Sequence, residues 1–385
     1  MRRSVGKAVL LVLFITLGAG LIWFGLLYKT YGRQTLLFLL RSSPELIWSY
    51  SKAAMTNSDT DESGSRGLFN TSVLERPEAS LPPIASKHAI SGMSHTYQKL
   101  NNCGPSSASM AASVLGKSFD QFFAAEVLKG GPSDKNVGPQ EMVRFLESQG
   151  LKVAYRLNGN AAMIEQLVSR DIPVIVEQWL VKRGSGELVG HYRVVKGYDQ
   201  TSRIFTTNDS FDGPNLVIPY SQFDEWWRPF NRTYLVVYKP EQEEAVKLVL
   251  QTNWDETLNF QGAAAIAAAE TKSIGDGYSY FNLGTANTLL HKYSEAQSAY
   301  DQAFTKTLPE HFLWYEFGPL EAYYQTGQYE QVLKITDEVL RQAGPTEESL
   351  YYRSLVFTKQ GKTVEAEEAR EKAYSANPRF VPPFE

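Results

Sequence analysis

The 385-residue chain has one cysteine, Cys103, at the head of a segment that reads as a helix. A thiol attacks as the thiolate, and the positive end of a helix dipole favours that form. Pro105 suits a first helical turn, where a missing N–H breaks no bond. Ala108, Met110, Ala111, Ala112, Val114 and Leu115 then continue an apolar helix that Gly116 can end. A free cysteine is more often a small buried hydrophobe than a nucleophile, so Cys103 is judged by its company. Acyl transfer by a thiolate needs a base, and the chain offers His88, His95, His191, His291 and His311. His291 and His311 fall in a C-terminal repeat, and His88 and His95 lie where no strong element is predicted. His191 follows Gly190 and opens an apolar strand after a Gly-rich loop at 183–186, which would hold its side chain on a rigid edge. The base needs an acceptor on its other ring nitrogen. Asp209, at the end of the next strand, is in the right sequential place, with its neighbour Asn208 as the alternative.

The elements that must position these groups are legible in part. Helical patterns bounded by Gly, Pro, Asn or Asp run over 119–128, 139–149 and 161–170. Runs rich in β-branched and aromatic residues at 173–179, 191–198, 203–207 and 233–238 predict strands. Helices followed by an antiparallel sheet imply an α+β arrangement over residues 82–240.

From 241 the strand signals vanish and a repeat begins. Tyr293-Ser294-Glu295-Ala296, Tyr329-Glu330-Gln331-Val332 and Thr363-Val364-Glu365-Ala366 recur at spacings of 36 and 34 residues. Ala303, Val339 and Ala373 keep step with them, as do Gly327 and Gly361, and Pro309, Pro345 and Pro378 close each unit. This pattern resembles the tetratricopeptide repeat, which implies an all-α domain of paired helices over 241–385. Phe281-Asn282-Leu283-Gly284 fits that family's first-helix signature, and the match weakens between Trp314 and Tyr323.

Gln98, Asn101-Asn102-Cys103-Gly104-Pro105, the run from Gly190 to Asp199, and Asn208-Asp209 together resemble the papain-like cysteine peptidases of family thirty-nine, which include the leader-cleaving domain of bacteriocin exporters. The resemblance covers about residues 82–240 and is closest to stand-alone relatives. It implies a papain-like fold with Cys103 as nucleophile, His191 as general base, Asp209 as the orienting residue, and Gln98 as an oxyanion donor beside the Cys103 backbone N–H. The sequence departs from the family after the acid, where Ser210-Phe211-Asp212-Gly213-Pro214 stands in place of an immediate proline. An acyltransferase or amidase would use the same triad, and a non-catalytic peptide-binding protein could keep the fold as a platform.

Composition bounds the rest. A net charge of −4 without a basic block beyond the N-terminus argues against a nucleic-acid partner. A single cysteine forms no intramolecular disulfide. No His-Glu-x-x-His or paired-cysteine spacing predicts a metal, and no cofactor is expected. Gly116-Lys117-Ser118 lacks the upstream glycine of a phosphate loop, since Ala111 occupies that position. Residues 8–28 are uncharged and, as a helix about 31 Å long, would cross a bilayer. They predict a single-pass anchor after a cytoplasmic tail at 1–7, with the catalytic part outside; a cleaved signal peptide is the competing reading. Residues 29–81 read as a juxtamembrane segment and polar tether. The expected partners are a peptide or protein substrate, a protein held by the repeats, and the membrane.

Overall fold

In the computed structural model, residues 83–131, 134, 136–182 and 185–384 are described. The predicted tail, anchor and tether lie outside them. Among the described residues no helix is long and apolar enough to cross a membrane.

The elements run β1 (Lys87–Ala89), α1 (Cys103–Ser113), α2 (Gln121–Leu128), α3 (Pro139–Ser148), β2 (Lys152–Arg156), α4 (Ala161–Val168), β3 (Val174–Val181), β4 (Leu188–Asp199), β5 (Ile204–Asp209), β6 (Gly213–Pro219), α5 (Tyr220–Trp227) and β7 (Tyr234–Tyr238). All seven strands join one antiparallel sheet in the order β2-β7-β3-β4-β5-β6, with β1 on β4. The predicted helices and the four predicted strands form. Three strands and α5 were not anticipated, and strands interleave with helices rather than following them. β6 contains Pro214, Asn215 and Gly213, a composition that reads as a turn; its pairing with β5 overrides that local signal. β4 also begins three residues earlier than expected, so His191 sits inside the strand, opposite Gln178 of β3.

β7 is buried throughout and β3 at all but its last residue, because helices cover the sheet on both sides. α1 is fixed on the sheet by the Ser107 hydroxyl, which donates to the Tyr192 carbonyl at 3.2 Å. On the face shared by Gln178, His191 and Arg193, the Gln178 amide donates to the Phe223 carbonyl of α5 at 2.9 Å.

The remaining elements are helical: α6 (Glu243–Leu250), α7 (Glu256–Ser273), α8 (Gly277–Leu289), α9 (Tyr293–Ala303), α10 (Gly318–Gln325), α11 (Tyr329–Ala343), α12 (Glu347–Lys359) and α13 (Thr363–Ala376). The last six pack as successive pairs, and α9, α11 and α13 start at the residues that head the sequence repeat. His291, Gly327 and Gly361 occupy equivalent positive-φ positions in the turns within the pairs. α10 is only eight residues long and follows a 3₁₀ turn at Phe312–Trp314, which accounts for the weak repeat match there.

These helices share a core with the sheet. Trp179 of β3 and Phe230 pack with Phe281, Tyr300, Phe312 and Phe317. Asn259 of α7 bonds both backbone groups of Leu157, at 2.9 and 3.0 Å, and Asn231 and Asn282 each donate to the other segment's carbonyls. The described residues of 83–181 and 188–384 therefore group as one body. The Lys182 N–H donates to the Glu187 carbonyl at 2.8 Å.

Candidate active site

Cys103 is the first residue of α1, so its backbone N–H has no acceptor within the helix. Asn102, the residue before it, makes no side-chain cap. Its amide instead donates to Gln121 Oε1 at 3.3 Å, and its Oδ1 accepts from Lys129 Nζ at 3.2 Å. Gln121 is buried and ties down the approach to the helix, accepting from the Lys99 N–H and donating to Thr96 Oγ1 and the Tyr97 carbonyl. The half-buried thiol of Cys103 thus sits on a loop held at several points.

His191 is 2% exposed. Its Nε2–H donates to Asp209 Oδ1 at 3.0 Å, and the imidazole also bonds the Cys103 thiol. Asp209 Oδ1 further accepts from the N–H groups of Phe211 and Asp212, at 2.7 and 2.8 Å, while Oδ2 stands 2.7 Å from Arg193 Nε. Ser210-Phe211-Asp212 thus form a turn whose amides hold the carboxylate. Asn208 is engaged elsewhere: its side chain donates to the Ser94 carbonyl and accepts from the Asn215 N–H. Gln98 Oε1 accepts from the Ser210 hydroxyl at 2.7 Å, which leaves its Nε2–H₂ as the donating end.

The other histidines have different neighbours. His88 pairs with Asp171, His95 bonds the Asp209 carbonyl, His291 meets the Tyr293 hydroxyl and His311 meets the Leu188 carbonyl.

Electrostatics favour an ion pair. Burial would raise the Cys103 pKa, but the His191 hydrogen bond and charge, with the N–H groups of Tyr192 and Gly104, bring it below the ordinary cysteine value. Burial would lower His191, yet the adjacent Asp209 carboxylate and the Cys103 bond push it up to about 9. Burial likewise opposes ionisation of Asp209, and the charges of His191 and Arg193 outweigh it, holding the carboxyl well below the usual range. The two shifts run in the direction of a thiolate–imidazolium pair, the form that a nucleophilic cysteine uses.

Residues 86–235 match the model of the Peptidase_C39 like family. Similar solved structures include a putative C39-like peptidase from Bacillus anthracis, 15% identical, covering 40% of this chain and 98% of that one, with a TM-score of 0.34. Another is a double glycine motif protease from an AMS/PCAT transporter in complex with the leader peptide, 16% identical, covering 40% and 95%, at a TM-score of 0.30. The peptidase domain of Streptococcus ComA, a bi-functional ABC transporter involved in a quorum sensing pathway, is 16% identical, covers 38% and 96%, and gives 0.29. No curated protein matches.

Several contributors escape a reading by motif. Arg193, buried at 1% exposure, also donates to Gln178 Oε1 and the Trp179 carbonyl and lies over the Trp226 ring. Its signal was available, since a charged residue two positions after His191 in a strand shares its face. Ser210, Gln121 and Lys129 carry no comparable local sign. Gly190 has a steric reason: a Cβ there would come within 2.8 Å of the Tyr315 ring. Among the described residues no group of three or more His, Cys, Asp or Glu side chains is arranged to hold a metal.

Proposed function

We propose that this chain is a cysteine peptidase, with Cys103 as nucleophile, His191 as general base and acid, Asp209 orienting His191, and Gln98 donating to the oxyanion. The observation that carries the reading is the hydrogen-bonded line from the Cys103 thiol through the His191 imidazole to Asp209 Oδ1. The family match over 86–235 agrees with it.

The thiolate adds to the scissile carbonyl carbon, and the carbonyl oxygen takes the negative charge. Gln98 Nε2–H₂ and the Cys103 N–H stabilise that oxyanion, as donors aimed where charge develops. Imidazolium His191 gives its proton to the amine as the C–N bond breaks, leaving a thioester. Neutral His191 then takes a proton from water, whose oxygen adds to the thioester carbon. Collapse releases the acid and restores the thiolate–imidazolium pair.

The peptidase portion would span 82–240. The helix pairs of 241–385 would act as tetratricopeptide-like repeats that recruit or orient a peptide or protein, supported by helix starts at Tyr293, Tyr329 and Thr363. Residues 8–28 would anchor the chain in a membrane with the N-terminus inside, supported by their uncharged run. Turnover of a defined peptide library by the intact chain and by Cys103→Ala tests the chemistry. The variant should fold and lose at least about 10⁴-fold in rate; substantial residual hydrolysis refutes the assignment.

A further inference from the structure

A buried cation beside the reaction centre has no part in the steps written above. Lys129 is 5% exposed and stands just past the end of α2. Its Nζ donates to the Asn101 carbonyl at 3.1 Å and to Asn102 Oδ1 at 3.2 Å. The Asn102 amide nitrogen donates to Oε1 of Gln121, the first residue of α2, at 3.3 Å. Both ends of α2 therefore grip one side chain, that of the residue before Cys103.

The gripped segment joins Gln98 to Cys103, the oxyanion donor and the nucleophile of the proposed mechanism. Its Asn102 N–H closes a turn on the Lys99 carbonyl at 3.1 Å, Asn101 is held at a φ of 57°, and the Asn102 carbonyl accepts the first bond of α1, from the Ser106 N–H at 2.9 Å. Asparagine enters the left-handed region more readily than most residues, but one such turn is a weak fixture by itself. Movement of the turn would shift Gln98 against Cys103, and oxyanion donors act only when they are aimed correctly.

Lys129 also brings charge. Both of its partners are acceptors, which suits an ammonium, a group with three donors and no acceptor. Burial lowers the Lys129 pKa, and the charges of Asp134, Cys103 and Glu347 oppose that. Asp134 is held by the N–H groups of Gly130 and Asn136, at 3.0 and 3.1 Å, and Glu347 of α12 accepts from the Asn377 amide at 3.1 Å. These carboxyl groups compensate the buried ammonium, whose attraction for Cys103 appears when the thiol ionises.

We propose that Lys129 is a positioning residue of the cysteine site: its ammonium fixes the Asn101–Asn102 turn and places a positive charge where it favours the Cys103 thiolate. Its effect on turnover rests on the peptidase reading; its effect on the thiol does not.

Cys103 is the one cysteine of the chain, so alkylation by iodoacetamide reports on this thiol alone. Lys129→Met removes donor and charge, and Lys129→Gln keeps a donor without the charge. In both, the midpoint of the alkylation rate–pH profile should rise by at least about half a unit, and alkylation at pH 6 should slow at least about threefold. Lys129→Arg should recover most of that loss. An unmoved midpoint in Lys129→Gln, or an arginine variant no better than the methionine one, overturns the proposal. If Lys129→Met does not fold, the glutamine and arginine variants decide the matter between them. With a peptide that the intact chain cleaves and Cys103→Ala does not, Lys129→Gln should lower kcat at least about tenfold and change KM less than about twofold. A raised KM at unchanged kcat overturns the positioning role in favour of a substrate contact. Unchanged kcat and KM overturn it while leaving the peptidase reading intact. A shifted alkylation profile in a chain that cleaves no peptide refutes the peptidase reading and supports the role of Lys129 at the thiol.

Discussion

Arg193 Nε stands 2.7 Å from Asp209 Oδ2, so the carboxylate that accepts from His191 through Oδ1 is held from its other side by a buried guanidinium. The β4–β5 ladder sets this contact by placing Arg193 directly opposite Asp209. Removing one member of such a pair leaves the other charge buried and uncompensated. Arg193→Met should therefore destabilise the fold by about 3–5 kcal/mol, measured by urea unfolding. In whatever folded fraction remains, the His191 pKa, followed by imidazole NMR, should also move.

The direction of the Cys103 and His191 shifts fixes a pH profile. With the thiol lowered and the imidazole raised to about 9, both shifts favour the ion pair, which is lost as His191 deprotonates. Carbamidomethylation by iodoacetamide at pH 6 should be faster than for a free cysteine, and kcat/KM should fall above about pH 9. Stability follows the same groups. His191 is raised from an ordinary value of about 6.5, so its contribution is complete below that pH and declines as pH rises toward 9. Asp209 is depressed, so its contribution is present above about pH 4 and lost on further acidification. Thermal unfolding across pH 3–10 should show both declines, and a profile without the alkaline one would contradict the His191 environment.

Gln98 offers its amide nitrogen because Ser210 engages its oxygen. Gln98→Ala should lower kcat by about 10²–10³-fold with little change in KM, the pattern of a donor used mainly in the transition state. Ser210→Ala should cost less, since it removes only the orientation of that amide. A Gln98→Ala enzyme with unaltered kcat would remove Gln98 from the oxyanion site.

Gly190 leaves room for the Tyr315 ring, which a Cβ would meet at 2.8 Å. Gly190→Ala should destabilise by about 1–3 kcal/mol through overpacking next to His191. Tyr315→Ala should relieve much of that loss in the double variant, because contacting residues couple. Additive unfolding energies would show that the two positions are independent.

The elements that carry the candidate site were readable where they depended on neighbours in sequence. Cys103 before Pro105 and an alanine-rich run announces a helix start, and a β-branched run after Gly190 announces a strand carrying His191. The spacing of Tyr293, Tyr329 and Thr363 announced helix pairs because each pair buries the same alanine and valine positions. β6 was hidden because its Gly, Pro and Asn residues are held extended only by pairing with β5.

What tertiary structure alone decided is which distant groups meet. That Asp209 rather than Asn208 meets His191 follows from strand alternation and the turn amides of Phe211 and Asp212, and the contact of Arg193 with Asp209 from β-ladder register. The helical pairs read as a separate appendage, yet Trp179, Phe230 and Phe312 fuse them to the sheet. Glu347 of α12 acts on Lys129, roughly 220 positions away, only because the helical pairs close against the end of α2. Local sequence fixes element type through propensity and capping, whereas contacts at such separations depend on how whole faces pack.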